Sequence, residues 1–501
     1  MLTLIVFLPL VAAVVLAAVP ESAGRRPFLV GWIGITAIDA VLVVLAWIAS
    51  DTGGGMSYEQ NVRWIPSAGV AYHVGVDGLS LPLVAMTALL FLACAVYSLR
   101  QTHRVKSFVL LFLFLQTVSL GLFTALDLIL FFVYFDLSIV GMYFVIAGWG
   151  HGQAKRSALT FFLYTFVGSL ALLLGFIGLY LAAEPHTFDI IALATANPLA
   201  GRGAYAALVL LAIGIGLAVK TPTVPFHTWL PPAHTDAPAA GSAILAGVLL
   251  KMGTYGFVRI AMPLLPETWR QYAGAVVVIG VVSVLYGALV ALAQQDFKRM
   301  VAYTSVNHMG YVVLAVGATG LWAGSDAQAR SLAVTGAVTQ MVSHGLITAA
   351  LFLLAGVFYD RRGTYDMGAY SGVAGPAPLF AAATGVAAFA SLGLPGFSGF
   401  IAEFQIFTGS LASATIGTAL AVLGILITAG LFLRVLHRVF LGTLRLPDAP
   451  GAGRDFADLH RSEVVSVLPL LALAVVIGVV PRFLLEVIEP ASATLIGLVG
   501  R

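Results

Sequence analysis

The stretch LVLLAIGIGLAVKTPTVPFH, residues 208–227, decides the fold of this chain. Lys220 ends an apolar run of helical length, and Pro222 and Pro225 follow within five residues. Proline lacks the amide donor that continues a helix, so the run must break there. Broken backbone at membrane depth is tolerated only inside protein or beside water. The stretch therefore predicts an interrupted transmembrane helix with a cation at its break, a pattern typical of ion transporters.

The composition of the whole chain agrees with a membrane location. Of the 501 residues, 60% are apolar and only 9% are charged, whereas soluble proteins carry about 25% charged residues. The 25 basic and 22 acidic residues form no basic tract that would follow phosphates, which excludes nucleic acid as a partner. The single cysteine, Cys94, excludes a disulfide framework or an iron–sulfur site built from this chain.

Apolar runs of spanning length predict about fourteen helices. They lie at residues 2–20, 28–50, 79–99, 107–126, 128–149, 157–183, 205–230, 240–263, 273–293, 299–321, 331–356, 377–410, 414–441 and 465–487. Continuous runs without period-two alternation favour helices over a barrel. The predicted fold class is all-α, a polytopic membrane protein in which residues 1–501 form one domain. The longest connections, 51–78 and 442–464, are too short for a soluble domain.

The distribution of Lys and Arg predicts the orientation, because cytoplasmic loops carry the excess. Odd-numbered connections hold sixteen of these residues and even-numbered ones hold five. The odd connections contribute Arg25, Arg26, Arg100, Arg104, Lys106, Lys155, Arg156, Lys298, Arg299, Arg361, Arg362, Arg434, Arg438, Arg445, Arg454 and Arg461. We therefore expect these loops in the cytoplasm and both termini on the outer side of the membrane.

Several ionisable residues fall inside the predicted spans, where each costs roughly 2.5–3.5 kcal/mol on insertion scales. Six of them are candidates for proton translocation: Asp136, Lys220, Lys251, His308, His344 and Glu403. The structural alternative is that they form buried ion pairs or capped histidines that hold helices together. We prefer that structural interpretation for a seventh residue, Asp39, and we interpret His227 and His234 as helix-end anchors and not as metal ligands.

A second interruption, GLPGFSG at 393–399, breaks the twelfth span just before Glu403. Interrupted seventh and twelfth spans, each with an adjacent charge, predict two inverted five-helix repeats, at about 107–263 and 273–441. Two ordinary proline kinks are the simpler alternative. A buried lysine holds its proton more tightly when a carboxylate approaches, so Asp136 and Lys220 are suited to a proton switch. Histidine suits a relay because its pKa lies close to neutrality.

Four motifs make the family recognisable. They are KTPTVPFHTWLPPAHTDAPAAGSAILAGVLLKMGTYG at 220–256, DFKRMVAYTSVNHMGYV at 296–312, QMVSHGLITAALFLLAGVFYDRR at 340–362 and GLPGFSGFIAEF at 393–404. With these motifs the whole chain resembles the antiporter-like membrane subunit M family of bacterial NADH–quinone oxidoreductase, respiratory complex I. The resemblance implies Lys220 as the pumping lysine with Asp136 as its partner. It also implies Lys251 with His308 and His344 as a central relay, and one proton pathway in the chain.

The resemblance extends to subunit type and partners. Sister subunits L and N carry lysine on the broken twelfth helix, whereas this chain has Glu403, as subunit M does. Asp136 departs from the family, which usually has glutamate at this position. The resemblance implies a multi-pass protein of the bacterial plasma membrane that contacts subunits L and N and the lipid bilayer. No cofactor is expected in this chain; FMN, iron–sulfur clusters and quinone are expected in other subunits.

Three other functions are alternatives to proton pumping in this complex. A subunit of a multisubunit cation/proton antiporter or of a membrane-bound hydrogenase is built on the same fold. A redox enzyme in its own right is disfavoured, because the chain lacks a Gly-rich dinucleotide fingerprint and histidines with helical pairing for haem. A purely structural scaffold of the membrane arm would keep the fold without titrating the buried charges.

Overall fold

The computed structural model describes residues 1–51, 53–321, 326–448 and 456–500, and Arg454 of the predicted cytoplasmic set lies outside them. Helices dominate this part of the chain, and eleven of them are long and apolar enough to cross a membrane. Two shorter apolar helices, Leu2–Ala18 and Pro378–Ser391, join them. The predicted all-α polytopic fold is therefore confirmed.

The first half of the chain contains the N-terminal helices and the first interrupted helix. Its helices are α1 (Leu2–Ala18), α2 (Arg26–Ile48), α3 (Leu81–Tyr97), α4 (Val105–Thr124), α5 (Leu128–Trp149), α6 (Ala154–Ala182), α7 (Ile190–Ala196), α8 (Gly203–Lys220), α9 (Leu230–Asp236), α10 (Ala239–Ile244), α11 (Leu250–Gly256) and α12 (Met262–Leu264). Helices α10 to α12 form one continuous helix, Ala239–Leu264. Two π-helical turns, Leu245–Leu249 and Phe257–Ala261, join its parts and flank Lys251.

The second half repeats long helices around a second interruption. Its helices are α13 (Pro266–Ala293), α14 (Phe297–Ala318), α15 (Ala327–Arg362), α16 (Pro378–Ser391), α17 (Ser398–Leu411), α18 (Thr415–Phe440), α19 (Arg461–Val479) and α20 (Arg482–Val499). Helix α15 and helix Ala239–Leu264 bury the whole of their apolar stretch within the protein, whereas only a third of that of α2 and α18 is buried. Lys251 and His344 therefore lie at the centre of the bundle, away from lipid.

Both interruptions occur where the sequence predicts them. Helix α8 ends at Lys220, two residues before Pro222, and helical structure resumes at Leu230. Helix α16 ends at Ser391 and α17 begins at Ser398. Gly393, between them, has a φ of +74°, and a Cβ at this position would meet the carboxylate of Glu403. Glycine is thus required here, because it adopts the left-handed conformation and leaves room for that carboxylate.

A β-hairpin occupies the connection 51–78, for which the sequence predicts only a polar loop. Strands β1 (Ser57–Ile65) and β2 (Val70–Val76) pair antiparallel. His73 on β2 fastens the hairpin to the bundle through Nδ1, 2.6 Å from Asp189 Oδ2, and bonds across the hairpin through Nε2, 2.9 Å from Glu59 Oε1 on β1. Burial lowers the pKa of His73, but the hydrogen bonds with Asp189 and Glu59 outweigh it and raise the pKa above its usual value. The hairpin is therefore held by charge-assisted bonds as well as by its strand pairing.

The chain ends in a helix that the sequence prediction merges with the last span. The predicted run 465–487 is wrong at its C-terminal end, because α19 ends at Val479 and α20 begins at Arg482. Helix α20 is amphipathic: Leu484, Val487 and Ile488 are among its buried residues, whereas its charged residues are exposed. Such a helix packs along a surface and does not cross the hydrocarbon core.

Two backbone bridges have the same form at two places in the chain. Asp127, the N-cap of α5, bridges to Asp189 after α6, and Asp296, the N-cap of α14, bridges to Asp366 after α15. In both cases the cap carboxylate accepts hydrogen bonds from the first turn of its own helix. Helices α5 and α6 thus have the same local arrangement as α14 and α15.

Candidate functional site

Lys220 lies at the first helix break with its side chain 1% exposed. Its Nζ donates a hydrogen bond to Ser138 Oγ at 2.8 Å and lies 4.8 Å from the centre of the Phe135 ring. The break at Pro222 places this ammonium at the end of α8 and directs it toward α5. The hydroxyl and the aromatic ring together stabilise a cation that has left water.

Asp136 lies on the same helix as Ser138 but does not form an ion pair with Lys220 among the described residues. Its carboxylate acts on Lys220 only through longer-range electrostatics, and the nearby Ser169 hydroxyl donates to Phe166 O at 2.9 Å. Its Oδ1 atom has no hydrogen-bond partner in the described protein. Sequence reasoning places Asp136 as the direct partner and misses Ser138, which takes the ammonium instead. The shorter aspartate side chain fits this separation, because it reaches about one C–C bond less than glutamate.

We predict that charge at position 136, and not packing, controls Lys220. Asp136→Asn removes the charge at constant volume and is expected to lower quinone-linked NADH oxidation about fivefold, or ~1 kcal/mol of barrier. Asp136→Glu, which extends the carboxylate toward Lys220, should be neutral or mildly beneficial. Rates measured in membrane vesicles at equal levels of assembled complex test this. Equal damage from both substitutions would contradict the prediction.

Lys251, His344 and His308 form a connected cluster in the centre of the bundle. Lys251 Nζ lies 2.6 Å from His344 Nδ1 and donates to Ala246 O at 2.5 Å. The rings of His344 and His308 are 5.3 Å apart, and His308 Nε2 lies 3.0 Å from Ser391 O at the second helix break. The cluster therefore runs from the helix with the π-turns to the end of α16.

Glu403 lies beyond this cluster, 4% exposed and near the break between α16 and α17. A space of about 10 Å³ separates it from the histidines, which is the volume that one water molecule requires. Four polar atoms of the residues that line this space have no hydrogen-bond partner in the described protein: His308 Nδ1, His344 Nε2, Gln340 Oε1 and Ser391 Oγ. The site is thus suited to a water that connects His344 with the carboxylate of Glu403.

The structure brings the six sequence-predicted residues into two groups. Lys220 and Asp136 form one group at the first break, and Lys251, His344, His308 and Glu403 form the second. Sequence reasoning missed Ser138, Gln340 and Ser391. Each is a polar residue inside an apolar span. That signal is not specific, because many serines in such spans hydrogen-bond only to their own helix.

The described residues contain no group of three or more His, Cys, Asp or Glu side chains arranged to hold a metal ion. The ring of His227 packs edge-on against Tyr286, with ring centres 5.0 Å apart. That of His234 stacks on Phe352 at 4.4 Å. Cys94 is buried, and its Sγ donates to Ala240 O at 3.7 Å. These side chains are therefore engaged in packing contacts with other helices.

Comparison with known proteins identifies the family. The model of the NADH:quinone oxidoreductase/Mrp antiporter transmembrane family matches residues 125–428. The chain belongs to this family. It is 36% identical to NADH-quinone oxidoreductase subunit M of Rickettsia conorii over 96% of both chains. It is also 36% identical to subunit M of Rhodobacter capsulatus, over 99% of this chain and 96% of the relative.

Solved structures agree with this assignment. A chain of respiratory complex I from Thermus thermophilus with bound NADH matches with a TM-score of 0.88 and 30% identity over 100% of both chains. A chain of the Mrp complex from Dietzia sp. matches with a TM-score of 0.83 and 23% identity over 99% of both chains. The second likeness shows the fold alone. The resemblance to the subunit M family is thus confirmed, and the antiporter alternative has weaker support.

Proposed function

We propose that the chain is a proton-translocating membrane-arm subunit of an NADH–quinone oxidoreductase, coupling electron transfer in other subunits to proton movement. The observation that carries the proposal is the 2.6 Å contact between Lys251 Nζ and His344 Nδ1 in the fully buried centre of the bundle. A lysine and an imidazole in hydrogen-bond contact, away from lipid and from bulk water, are groups that exchange a proton. Membership of the subunit M family supports the same function.

The two groups of residues have different roles in this proposal. Lys220 holds a proton when the charge of Asp136 acts on it and releases it when that influence weakens. Lys251, His344 and His308 carry protons between the centre of the bundle and the second helix break. Glu403 accepts the proton through the water-sized space and releases it on the far side. Conformational change in neighbouring subunits would drive the switch at Lys220.

We further propose that the chain consists of two inverted repeats, at about 107–263 and 273–441. The matching bridges Asp127–Asp189 and Asp296–Asp366 support this division. One helix break in each repeat supports it as well. Inverted repeats place an ion path at their interface, near the bilayer midplane. Lys251 lies at the end of the first repeat, next to the second.

The setting of the subunit follows from the same family membership and from the loop charges. We infer a location in the bacterial plasma membrane with the Arg361 loop in the cytoplasm and both termini outside. The partners are other membrane subunits, in particular L and N. The chain needs no redox centre of its own in this role, because electrons pass through subunits that carry FMN, iron–sulfur clusters and quinone.

Replacing Lys251 by methionine tests the proposed function. The side chain keeps its length but loses the proton, so NADH-driven proton pumping in reconstituted vesicles should fall about fivefold, or ~1 kcal/mol. Lys251→Arg keeps the charge without releasing a proton at working pH and should be equally impaired. NADH oxidation by a hydrophilic artificial acceptor should persist in both variants. Normal pumping by Lys251→Met would refute the relay and favour a structural scaffold.

A further inference from the structure

The proposed relay needs a supply of protons, and a cavity at one end of the bundle is placed to provide it. The cavity has a volume of about 490 Å³ and lies beside the C-terminal end of α15. Its titratable lining includes His151, Asp360, Tyr365 and Glu463. Arg100 and Asp360 are exposed at its mouth, whereas Tyr365 is buried on its inner wall. Solvent therefore reaches titratable side chains that belong neither to the Lys220 group nor to the Lys251 group.

The inner wall of this cavity adjoins a buried lysine. Lys298 is 0% exposed, and its Nζ lies 5.2 Å from the centre of the Tyr365 ring. That ammonium donates a hydrogen bond to Ala237 O, at the end of α9. Tyr365 in turn has its hydroxyl 3.1 Å from His151 Nε2. Burial, together with the charge of Lys298, lowers the pKa of His151 to about 4, so the neutral imidazole is free to accept a hydrogen bond from Tyr365.

A second unused residue, His234, lies on α9, three positions before the Ala237 carbonyl that Lys298 binds. It is fully buried, and neither ring nitrogen has a hydrogen-bond partner in the described protein. Its ring stacks on Phe352 of α15, the helix that also carries His344. His234 lies within electrostatic range of both Lys298 and Lys251. A buried imidazole whose nitrogens have no protein partner is costly unless they take part in proton transfer or bind water.

We propose that this cavity is the proton intake of the chain and that Lys298 passes protons from it, through His234, to Lys251. The inference rests on the proposed function, since it supplies the relay described there. In each cycle the Lys298 ammonium gives one proton to His234. Its amine regains one from the Tyr365 hydroxyl, which lines the cavity and is reprotonated there by water. The imidazole passes the proton from Lys298 to Lys251, so neither residue changes its net charge over a cycle.

The rival role for Lys298 is that of an anchor that holds the carbonyl of Ala237. Lys106 performs such a role at the same end of the bundle, where its Nζ donates to Ala17 O and Val19 O, both at 2.8 Å. Lys106 does not line the cavity and lies on α4, away from His234. It is therefore a matched control for the loss of a carbonyl-binding lysine.

The first test compares Lys298→Met, Lys298→Arg and Lys106→Met in the reconstituted complex. If Lys298 carries protons, methionine and arginine should both lower NADH-driven pumping about tenfold, because guanidinium donates hydrogen bonds but does not release a proton. Lys106→Met should pump normally. An anchor requires only a donor, so normal pumping by Lys298→Arg would overturn the proposal, as would normal pumping by Lys298→Met.

A second test does not depend on the folding of the Lys298 variants. Gln101 lines the cavity and is partly exposed. Gln101→Cys, in a Cys94→Ala background, is modified with a bulky membrane-impermeant thiosulfonate in inverted vesicles. Modification should lower turnover at least threefold relative to the unmodified variant, whereas Arg299→Cys, exposed at the same end but outside the cavity, should be insensitive. Full turnover after complete modification of Gln101→Cys would contradict the proposal that the cavity is the proton intake.

The parallel Lys251→Met variant separates the two proposals. Impaired pumping in Lys251→Met with normal pumping in Lys298→Met would support the proposed function and contradict only the proposed intake. Normal pumping in both variants would contradict both the proposed function and the proposed intake. Modification of Gln101→Cys only in right-side-out vesicles would place the cavity on the outer side, and an intake from the cytoplasm would then be wrong.

Discussion

Replacement of Lys220 by methionine is expected to lower quinone-linked NADH oxidation and proton pumping together, by about thirtyfold, or ~2 kcal/mol of barrier. The two rates fall together because the proton step at Lys220 is an obligatory part of the coupled cycle. Methionine keeps the apolar stem against Phe135 but cannot donate to Ser138 or hold a proton. The measurement is NADH-driven acidification of reconstituted vesicles beside the NADH oxidation rate.

The matched variant is Lys220→Arg, which retains charge and hydrogen-bond donors. Arginine should not restore pumping, because its proton does not dissociate in the working range. NADH oxidation by a hydrophilic artificial acceptor, unchanged in all variants, reports that the electron-transfer subunits are intact. Restoration by arginine would mean that Lys220 supplies a fixed charge, and unchanged pumping in Lys220→Met would remove it from the mechanism.

Glu403→Gln is expected to block proton release and to slow pumping about thirtyfold, although the complex still assembles. The amide has nearly the same volume as the carboxyl and keeps hydrogen bonding, so it still fits against Gly393, but it cannot titrate. The control is Asp39→Asn, a buried carboxylate on α2 whose Oδ2 accepts a hydrogen bond from Gln116 at 2.6 Å. That residue lies outside the proposed path, so Asp39→Asn should pump normally.

The variant Glu403→Lys tests whether position 403 needs any group that carries a proton or specifically a carboxylate. The resemblance to the family indicates lysine at this place in the sister subunits, so lysine should restore part of what glutamine loses. The longer side chain must enter the space beside Ser391 and Gln340, which limits the recovery to a fraction of the normal rate. Pumping normalised to NADH oxidation decides the matter: a normal ratio and rate for Glu403→Gln would show that protons leave elsewhere.

Asp136 shows what sequence reasoning can and cannot predict at the first helix break. The sequence identifies a carboxylate inside an apolar run, because any such charge stands out against lipid-compatible neighbours. It does not reveal that Ser138 takes the Lys220 ammonium, since serine is common in membrane helices and most such hydroxyls bond their own backbone. Contact distances between helices depend on packing angles that no local pattern encodes.

The two unexpected elements show a similar limit. The hairpin Ser57–Val76 alternates weakly and leaves most of its first strand exposed, so its residues resemble an ordinary polar connection. Helix α20 follows α19 after a short break at Pro481, and its apolar face resembles a continuation of the span. Only the exposure of Arg482, Glu486 and Glu489 along one side reveals a surface helix.

The sequence by itself determined the class of protein, the two broken helices and the identity of the buried charges. It did so because the bilayer fixes the length of an apolar run, proline cannot continue a helix, and a charge in hydrocarbon is expensive. The tertiary structure alone decided which charges meet. Lys251 contacts His344 across 93 positions of sequence, and Lys298 packs against Tyr365, a cavity-lining residue in the segment after α15. Such contacts depend on how distant helices pack, and hydrophobic periodicity carries no information about that arrangement.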